Sequence, residues 1–438
     1  LCLYLLFVLF VGCSEPAQSR DKESDDHLPP PEVVNNGRSG KLKDLLEVGT
    51  DRPVDSRRVL PQFRNVAADA AVNLHFLRFS DAVPGRYFLP EVMGGGVAWV
   101  DIDCDGMLDL YAINGCPLWE FQPSLSGYTN KMYRNTRGAF VDVTLVSGTY
   151  DAYFGQGCAA GDFNSDGFQD LYITNYGRNT LLCANGDGTF SDVTIPAEVG
   201  CEAWSSSAVW LDANLDGFAD LYTVNYVNIT RENHKSCDYV GIVGYCGPGE
   251  WDGVSDVLYL NSADGKFVAV DSIADDIAPA DSKGLAVAAT DFDGDHIPEI
   301  YVANDMLPNF LLKRIEDWDS NESPLYKNVA VSAGCAVSNE GRNEASMGIA
   351  CSDFDGDGFV DIFLTHFFES KNTLYRNLGS LLFEDASRQS RIAATSFDKL
   401  GFGTVAFDAN LDGSDDIFIA NGHVLGPNLE PNEMTPQL

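Results

Sequence analysis

"DFDGDGFVD", residues 353–361, places four carboxylates within nine residues directly before the apolar run "IFLTHFF". In the pattern D-x-D-x-D-G-x-x-D, positions one, three, five and nine offer side-chain oxygens, and position seven offers a backbone carbonyl. Glycine at position six permits the sharp turn that wraps these oxygens around one centre. Such an oxygen cage suits a hard cation of calcium's size. The stretch therefore predicts a cation-binding turn that leads into a strand.

The pattern occurs six times, which indicates a repeat protein. The copies begin at residues 101, 162, 212, 291, 353 and 408. The fourth copy, "DFDGDHIPE", departs from the others because His296 stands at position six. The predicted Ca2+ ligands are Asp101, Asp103, Asp105 and Asp109; Asp162, Asn164, Asp166 and Asp170; Asp212, Asn214, Asp216 and Asp220; Asp291, Asp293, Asp295 and Glu299; Asp353, Asp355, Asp357 and Asp361; and Asp408, Asn410, Asp412 and Asp416.

The segments on either side of these loops predict strands. Those upstream are short and rich in glycine, such as "FGQGCAAG", and those downstream are β-branched and aromatic, such as "LYITNY". An EF-hand loop would lie between two helices. A second hairpin usually follows, as in "NTLLCANGDGTFSDVT". Four strands per repeat predict an all-β fold, a β-propeller of four-stranded blades in which each loop joins the first two strands.

The repeats resemble the FG-GAP/VCBS blades of integrin α-chain propellers. They are more similar to bacterial relatives of cartilage acidic protein, the ASPIC/UnbV group, through "YFLPEVMGGGVAWVDIDCDGMLDLYAING", "YCGP", "IYVANDMLPN" and the closing "ANGHV". The resemblance covers about residues 63–424. It implies calcium ions in the loops and an adhesive, matrix-like role.

The resemblance also implies that the chain is a fragment. Such proteins usually continue past "NGHV", so we expect the propeller, residues 63–438, to be incomplete at its C-terminal end. Six calcium blades are visible, and we expect seven in the complete ring. Residues 63–79 are predicted to form a strand that closes this ring. The sixth blade is predicted to have only two strands, with an unpaired edge.

The N-terminal region predicts export. Residues 1–13, "LCLYLLFVLFVGC", are too short to span a bilayer but match a signal-peptide core that ends in a lipobox-like cysteine, Cys13. An ordinary cleaved signal or a buried strand is the alternative. Residues 14–62 are predicted to be a polar tether. We therefore expect a location in the bacterial cell envelope or at the cell surface, lipid-anchored at Cys13 or secreted, with no other membrane contact.

The net charge of the chain narrows the possible partners. The chain carries 65 acidic and 28 basic residues, a net charge of −37, which argues against nucleic acid as a partner.

Of the eleven cysteines, Cys237 and Cys246 bracket a short insertion in the third repeat and are predicted to form a disulfide. The remaining cysteines cannot be paired from the sequence, and no C-x-x-C pair suggests zinc.

No catalytic motif accompanies the calcium loops. His366 and His423 follow second strands and could lie near one face of the ring, but hydrogen-bonded structural histidines explain them as well. The predicted function is therefore a cell-surface binding or adhesion module for an unknown extracellular protein or glycan ligand, with Ca2+ stabilising the blades. The alternative is an exported propeller enzyme that acts on a glycan or small substrate at the central channel.

Overall fold

The computed structural model describes residues 63–72, 87–116, 118, 128–239, 241–270, 273–274, 277–278, 281–315, 326–422, 424 and 434–438. The predicted signal peptide (1–13), the tether (14–62) and His423 lie outside the described residues. No helix among the described residues is long and apolar enough to cross a membrane.

Five four-stranded antiparallel sheets form most of the described chain, as the sequence predicts for an all-β fold. The first contains β1 Val97–Val100, β2 Asp109–Ala112, β3 Lys131–Asn135 and β4 Phe140–Asp142; the second contains β5 Phe154–Gly161, β6 Asp170–Tyr176, β7 Thr180–Ala184 and β8 Phe190–Asp192. The third contains β9 Ser205–Leu211, β10 Asp220–Asn225, β13 Val257–Asn261 and β14 Phe267–Ala269, with a separate hairpin of β11 Ser236–Tyr239 and β12 Ile242–Tyr245 inserted after β10.

The remaining elements continue the same order. The fourth sheet contains β15 Gly284–Thr290, β16 Glu299–Asn304, β17 Phe310–Arg314 and β18 Tyr326–Asn328; the fifth contains β19 Ser346–Ser352, β20 Asp361–His366, β21 Thr373–Asn377 and β22 Phe383–Asp385; the sixth contains β23 Gly401–Phe407 and β24 Asp416–Asn421. The described helices are short: α1 Thr194–Ala197, α2 Ala330–Ala333 and α3 Ile392–Ser396, with 3-10 turns at Leu89–Val92 and Pro248–Glu250.

The sheets follow one another side by side. The first strand of each sheet, β1, β5, β9, β15, β19 and β23 in turn, contacts the first strand of the next. A separate apolar core fills each of the five interfaces between consecutive sheets. This arrangement of packed four-stranded antiparallel sheets is β-propeller-like.

Several first strands carry glycine where they approach a neighbouring sheet closely. A Cβ added at Gly284 would lie 2.1 Å from Val224 Cγ1, and one at Gly348 would lie 2.1 Å from the carbonyl oxygen of Phe402. Distances this short are not tolerated by any side chain. The "GLA" and "MGI" segments therefore set how closely these first strands pack against the preceding or following sheet.

Buried tyrosine side chains on the second strands of the second and fourth sheets link these sheets to the turn that follows their fourth strands. The hydroxyl groups of Tyr172 and Tyr301 are fully buried and donate hydrogen bonds to the carbonyl oxygens of Val199 (2.9 Å) and Cys335 (2.7 Å). Burying such a side chain contributes about 1.5–3 kcal/mol. The hydrogen bond satisfies its one polar atom.

The edge of the sixth sheet differs from the prediction. Only β23 and β24 belong to the sheet, but Gln437 forms a backbone bridge with Ile419, with hydrogen bonds of 2.9 and 3.0 Å in both directions. Asn421 Nδ2 also donates to the carbonyl oxygen of Thr435 at 2.9 Å. The edge expected to be unpaired is thus partly covered by residues 435–437, because exposed backbone groups pair with any segment within reach.

Residues 63–79, predicted to form a closing strand, do not match that prediction in the part that the structure describes. Residues 67–71 form a turn, and the side chain of Asn65 accepts a hydrogen bond from Ala67 N at 3.0 Å, which favours a turn over a strand. The carbonyl oxygen of Ala70 accepts a hydrogen bond from Phe140 N at 2.8 Å, at the edge of the first sheet. Residues 73–79 lie outside the described part of the chain.

Candidate metal centres

All six acidic loops lie between the first and second strands of their sheets, where the sequence places them. In the fifth loop, Asp353 at position one folds back over the turn, since its Oδ1 accepts Asp357 N at 3.0 Å and its Oδ2 accepts Gly358 N at 2.8 Å. The same pair of bonds recurs in every loop, with distances of 2.7 to 3.2 Å. Position one therefore shapes each turn as well as offering oxygens to a cation.

Two positions in each loop adopt the left-handed conformation. Position six has φ between 70° and 94° in all six loops, as predicted for glycine, and His296 adopts 70° there. A side chain at this conformation costs about 1–2 kcal/mol. Position four also has positive φ in every loop, with Cys104, Ser165, Leu215, Gly294, Gly356 and Leu411 in turn. The sequence did not predict the positive φ at position four, because only two of the six residues there are glycine.

Position nine is buried in the first five loops and half-buried in the sixth, and its carboxylate holds the loop to the sheet. Asp361 Oδ2 accepts Phe354 N at 3.0 Å, and its Oδ1 accepts Asn377 N on the third strand at 2.8 Å. The same double contact is made by Asp109, Asp170 and Asp220. Glu299 and Asp416 accept the bond from position two, at 2.9 and 3.2 Å. Each oxygen retains a lone pair, so this carboxylate can also face a cation.

Position three supplies the clearest test of whether the loops fit a metal ion. Oδ1 of Asp103 is buried without a hydrogen bond, and so is Oδ1 of Asn410 in the sixth loop. The other oxygen of Asp103, Oδ2, lies 2.5 Å from the guanidinium of Arg134 and forms an ion pair with it. Buried oxygens without donors are costly unless a cation satisfies them. Position three of the first and sixth loops therefore fits a hard cation.

Three loops bring carboxylates close together. Oxygens of three acidic residues lie within 4.8 Å of one another in the first, fourth and fifth loops: Asp101, Asp103 and Asp109; Asp291, Asp293 and Asp295; and Asp353, Asp355 and Asp357. In the second and third loops the position-three amide replaces one carboxylate, and Asn164 Nδ2 and Asn214 Nδ2 donate to position five at 2.9 and 2.8 Å. These clusters could hold a metal ion.

Burial perturbs the position-nine carboxyl groups. Desolvation raises the pKa of Asp170 and of Glu299 to about 7 and the pKa of Asp220 and of Asp361 to about 6, against the opposing effect of backbone hydrogen bonds. The pKa of Asp109 is raised for the same reason. A nearby divalent cation would favour the ionised form of each carboxyl group.

Without calcium, we expect the chain to become more stable as the pH falls from about 7.5 to about 5.5. Because the pKa of Asp170 is higher in the folded state than the unfolded value of about 4, folding takes up protons in this window. The contribution is fully present below the unfolded pKa and is lost as the pH rises through the folded pKa of about 6 to 7. Urea midpoints in EGTA measure it, and Asp170→Asn should flatten the trend. A calcium-free midpoint that rises with pH in this window would contradict the prediction.

The residues at or just after the ends of the second strands form structural hydrogen bonds. Backbone N–H groups of Asn114, Asn175, Asn225, Asn304 and His366 donate to side-chain oxygens of the following segment at 2.7 to 3.0 Å. His366 therefore matches Asn421, not His423, in strand register. It is buried, its Nε2 lies 2.9 Å from Thr373 Oγ1, and desolvation lowers its pKa to about 4. These features suit a neutral structural histidine.

The inserted hairpin confirms the predicted disulfide. Cys237 and Cys246 are bonded, with their Cα atoms 5.0 Å apart, and they join β11 to the end of β12. At the base of the insertion, Tyr245 and Trp251 pack in an aromatic core with Phe88 and Trp204.

Comparison with known proteins supports the repeat architecture. The FG-GAP-like repeat family matches residues 162–223 and 353–419, so the chain contains FG-GAP-like repeats. The first segment begins at the second acidic loop and the other at the fifth, and each ends on the second strand of the next sheet. Membership of the ASPIC/UnbV group stays a prediction.

Similar solved structures are distant. One is an Agrocybe aegerita lectin, solved for its specific recognition of non-reducing terminal N-acetylglucosamine, with 13% identity, a TM-score of 0.35, and 76% of each chain covered. Another is a mutant Photorhabdus luminescens Tc holotoxin pore, with 14% identity, a TM-score of 0.34, and 74% of this chain and 13% of that chain covered. No curated protein matches the sequence.

Proposed function

We propose that the chain is a calcium-stabilised β-propeller that serves as an extracellular binding or adhesion module. The observation that carries the proposal is the recurrence of one loop geometry six times, with the same backbone bonds to position one and the same positive φ at positions four and six. A turn repeated so closely has a common task in every blade. Its oxygen-rich composition makes cation binding that task.

Position one, three, five and nine side chains, with the position-seven carbonyl, would hold each ion. Calcium would neutralise carboxylates that otherwise repel one another at the start of each second strand. The chain's own contribution is the arrangement of these oxygens. Asp353 orders the turn, and Asp361, at the start of the second strand, fixes position two of the turn and the third strand of the same blade.

The ring itself is part of the proposal. Successive first-strand contacts support a radial arrangement of blades, and we propose six blades with an acidic loop here and seven blades in the complete ring. We also propose export and a lipid anchor at Cys13, which the apolar residues 1–13 support.

The inserted hairpin is the surface best suited to a ligand. Its base is fixed by the disulfide and by buried Tyr245 and Trp251, whereas Asp238 on the hairpin and Arg231 and Lys235 just before it are exposed. A polar segment held in one conformation loses little entropy when it binds. Such a presentation favours recognition of a macromolecule over catalysis in a closed pocket.

A glycan array together with an array of extracellular proteins tests the binding role. We expect saturable binding in calcium, loss of binding in EGTA, and recovery when calcium returns. Arg231→Ala with Lys235→Ala should weaken binding with little change in the melting temperature, since both side chains are exposed and the Lys235–Glu250 ion pair lies at the surface. Folded, calcium-loaded protein that binds nothing on either array would refute the adhesive role. Chemical conversion of a bound glycan would favour the enzyme alternative.

A further inference from the structure

One residue of the third strand faces position three of the acidic loop in several blades. In each sheet, the residue that follows position nine pairs with a residue of the third strand, and the residue in question comes directly after that partner. In the first to fifth sheets it is Arg134, Cys183, Leu260, Lys313 and Arg376. Arg134 contacts Asp103, Lys313 contacts Asp293, and Arg376 lies 3.6 Å from Asp355. In the second blade, Asn164 Nδ2 lies 3.5 Å from Cys183 Sγ.

The two positions are matched in charge. Where position three is aspartate, the third strand provides arginine or lysine; where position three is asparagine, it provides the uncharged Cys183 or Leu260. The first, fourth and fifth loops each have four carboxylates and one basic side chain, and the second and third loops each have three carboxylates and no basic side chain. All five loops therefore carry three net negative charges. The third-strand base is therefore part of the electrostatic design of the loop.

Lys313 in the fourth loop differs from the two arginines. Its Nζ contacts Asp293, lies 3.3 Å from Asp295 Oδ2, and lies 3.6 Å from Glu299 Oε1, so that it reaches three of the four predicted ligands. Arg134 contacts position three alone in its loop, and Arg376 divides its guanidinium between Asp355 and Glu384.

Lys313 also differs from the two arginines in the exposed fraction of its side chain. The side chain of Lys313 is 26% exposed, whereas those of Arg134 and Arg376 are 50% and 40% exposed. The lysine ammonium is a compact charge with three donors, which lets it contact several carboxylates around one point. A guanidinium is planar and larger, and it suits contact with a single carboxylate from the side.

The loop around Lys313 departs from the others at two positions. His296 replaces glycine at position six, and Glu299 replaces aspartate at position nine, which lengthens that side chain by one methylene. The backbone nevertheless keeps the common turn, with Asp291 accepting Asp295 N and His296 N at 3.2 and 2.9 Å. The turn is thus preserved although its sequence departs from the pattern at positions six and nine.

We propose that the ammonium group of Lys313 is the resident cation of the fourth loop, which keeps its shape without calcium. The inference rests on the proposed calcium role of the other loops. A divalent ion would have to displace the ammonium from Asp293, Asp295 and Glu299 before it could contact them. Lys313 thereby makes one blade of the repeat independent of the calcium supply.

Native mass spectrometry of the calcium-loaded chain tests this with a double-mutant cycle. Lys313→Leu copies the leucine of the third blade and should add one bound calcium ion. Asp295→Asn alone should leave the ion count unchanged, but in the Lys313→Leu background it should remove the added ion. Arg376→Leu is the matched control, and it should not change the count because the fifth loop already holds its ion.

Melting curves of each variant establish that it is folded. If Asp295→Asn removes an ion from the otherwise unmodified chain, the fourth loop binds calcium and Lys313 is not its cation. An unchanged count in folded Lys313→Leu would also overturn the inference. An unmodified chain that binds no calcium at all would instead refute the proposed function, and the role of Lys313 as a calcium substitute with it.

Discussion

Removing calcium with EGTA is expected to lower the melting temperature by on the order of 10 °C. Extracellular calcium modules bind with a Kd of about 10⁻⁴–10⁻³ M, so each occupied loop adds roughly 1.4–2.7 kcal/mol in about 10 mM calcium. Several loops act together, because the apolar cores lie between consecutive sheets and loosening one blade exposes two interfaces. A chain of this size has a large unfolding entropy, which limits the shift per kilocalorie.

Differential scanning fluorimetry at matched ionic strength measures the shift. Magnesium at the same concentration is the control, since it prefers a smaller, octahedral site and should restore little of the lost stability. If the melting curve is the same with EGTA, with magnesium and with calcium, the loops do not stabilise the fold through a bound ion.

Asp361→Ala is expected to be the most damaging single substitution in the acidic loops, at roughly 3–5 kcal/mol. The buried carboxylate accepts Phe354 N and Asn377 N at 3.0 and 2.8 Å, and both donors would lose their acceptor. Each unsatisfied buried donor costs about 1–3 kcal/mol. Most of this loss should persist in EGTA, because the clamp consists of hydrogen bonds within the protein.

Asp416→Ala in the sixth loop is the matched control. Asp416 occupies the same position nine but is only half-buried, and it accepts Ala409 N at 3.2 Å in a sheet of two strands. Its loss should reduce the free energy of unfolding by less than half as much. Urea unfolding in EGTA compares the two variants, and equal losses would show that the position-nine clamp has been misjudged.

The sequence predicted what short-range patterns determine. Asp and Gly spacing located all six loops, and the apolar segments on either side located the strands, because a tight turn between two β-branched runs leaves few other structures. The Cys237–Cys246 disulfide was predictable for the same reason, since its two cysteines bracket a short segment.

Contacts between distant segments could not be predicted. The clamp from Asp220 to Asn261 and the charge pair between Asp293 and Lys313 depend on strand register, which one sequence does not specify. The prediction of a strand at residues 63–79 failed over 67–71 because its apolar pattern gave no sign of the turn formed there. The contact of Gln437 with β24 was missed because a single backbone bridge has no side-chain pattern.

The number of calcium ions held by the folded chain shows whether the acidic loops are calcium sites. Native mass spectrometry at saturating calcium should find five ions, one for each loop other than the fourth, and EGTA should remove all of them. A folded chain that retains no calcium under these conditions would show that the loops do not bind it.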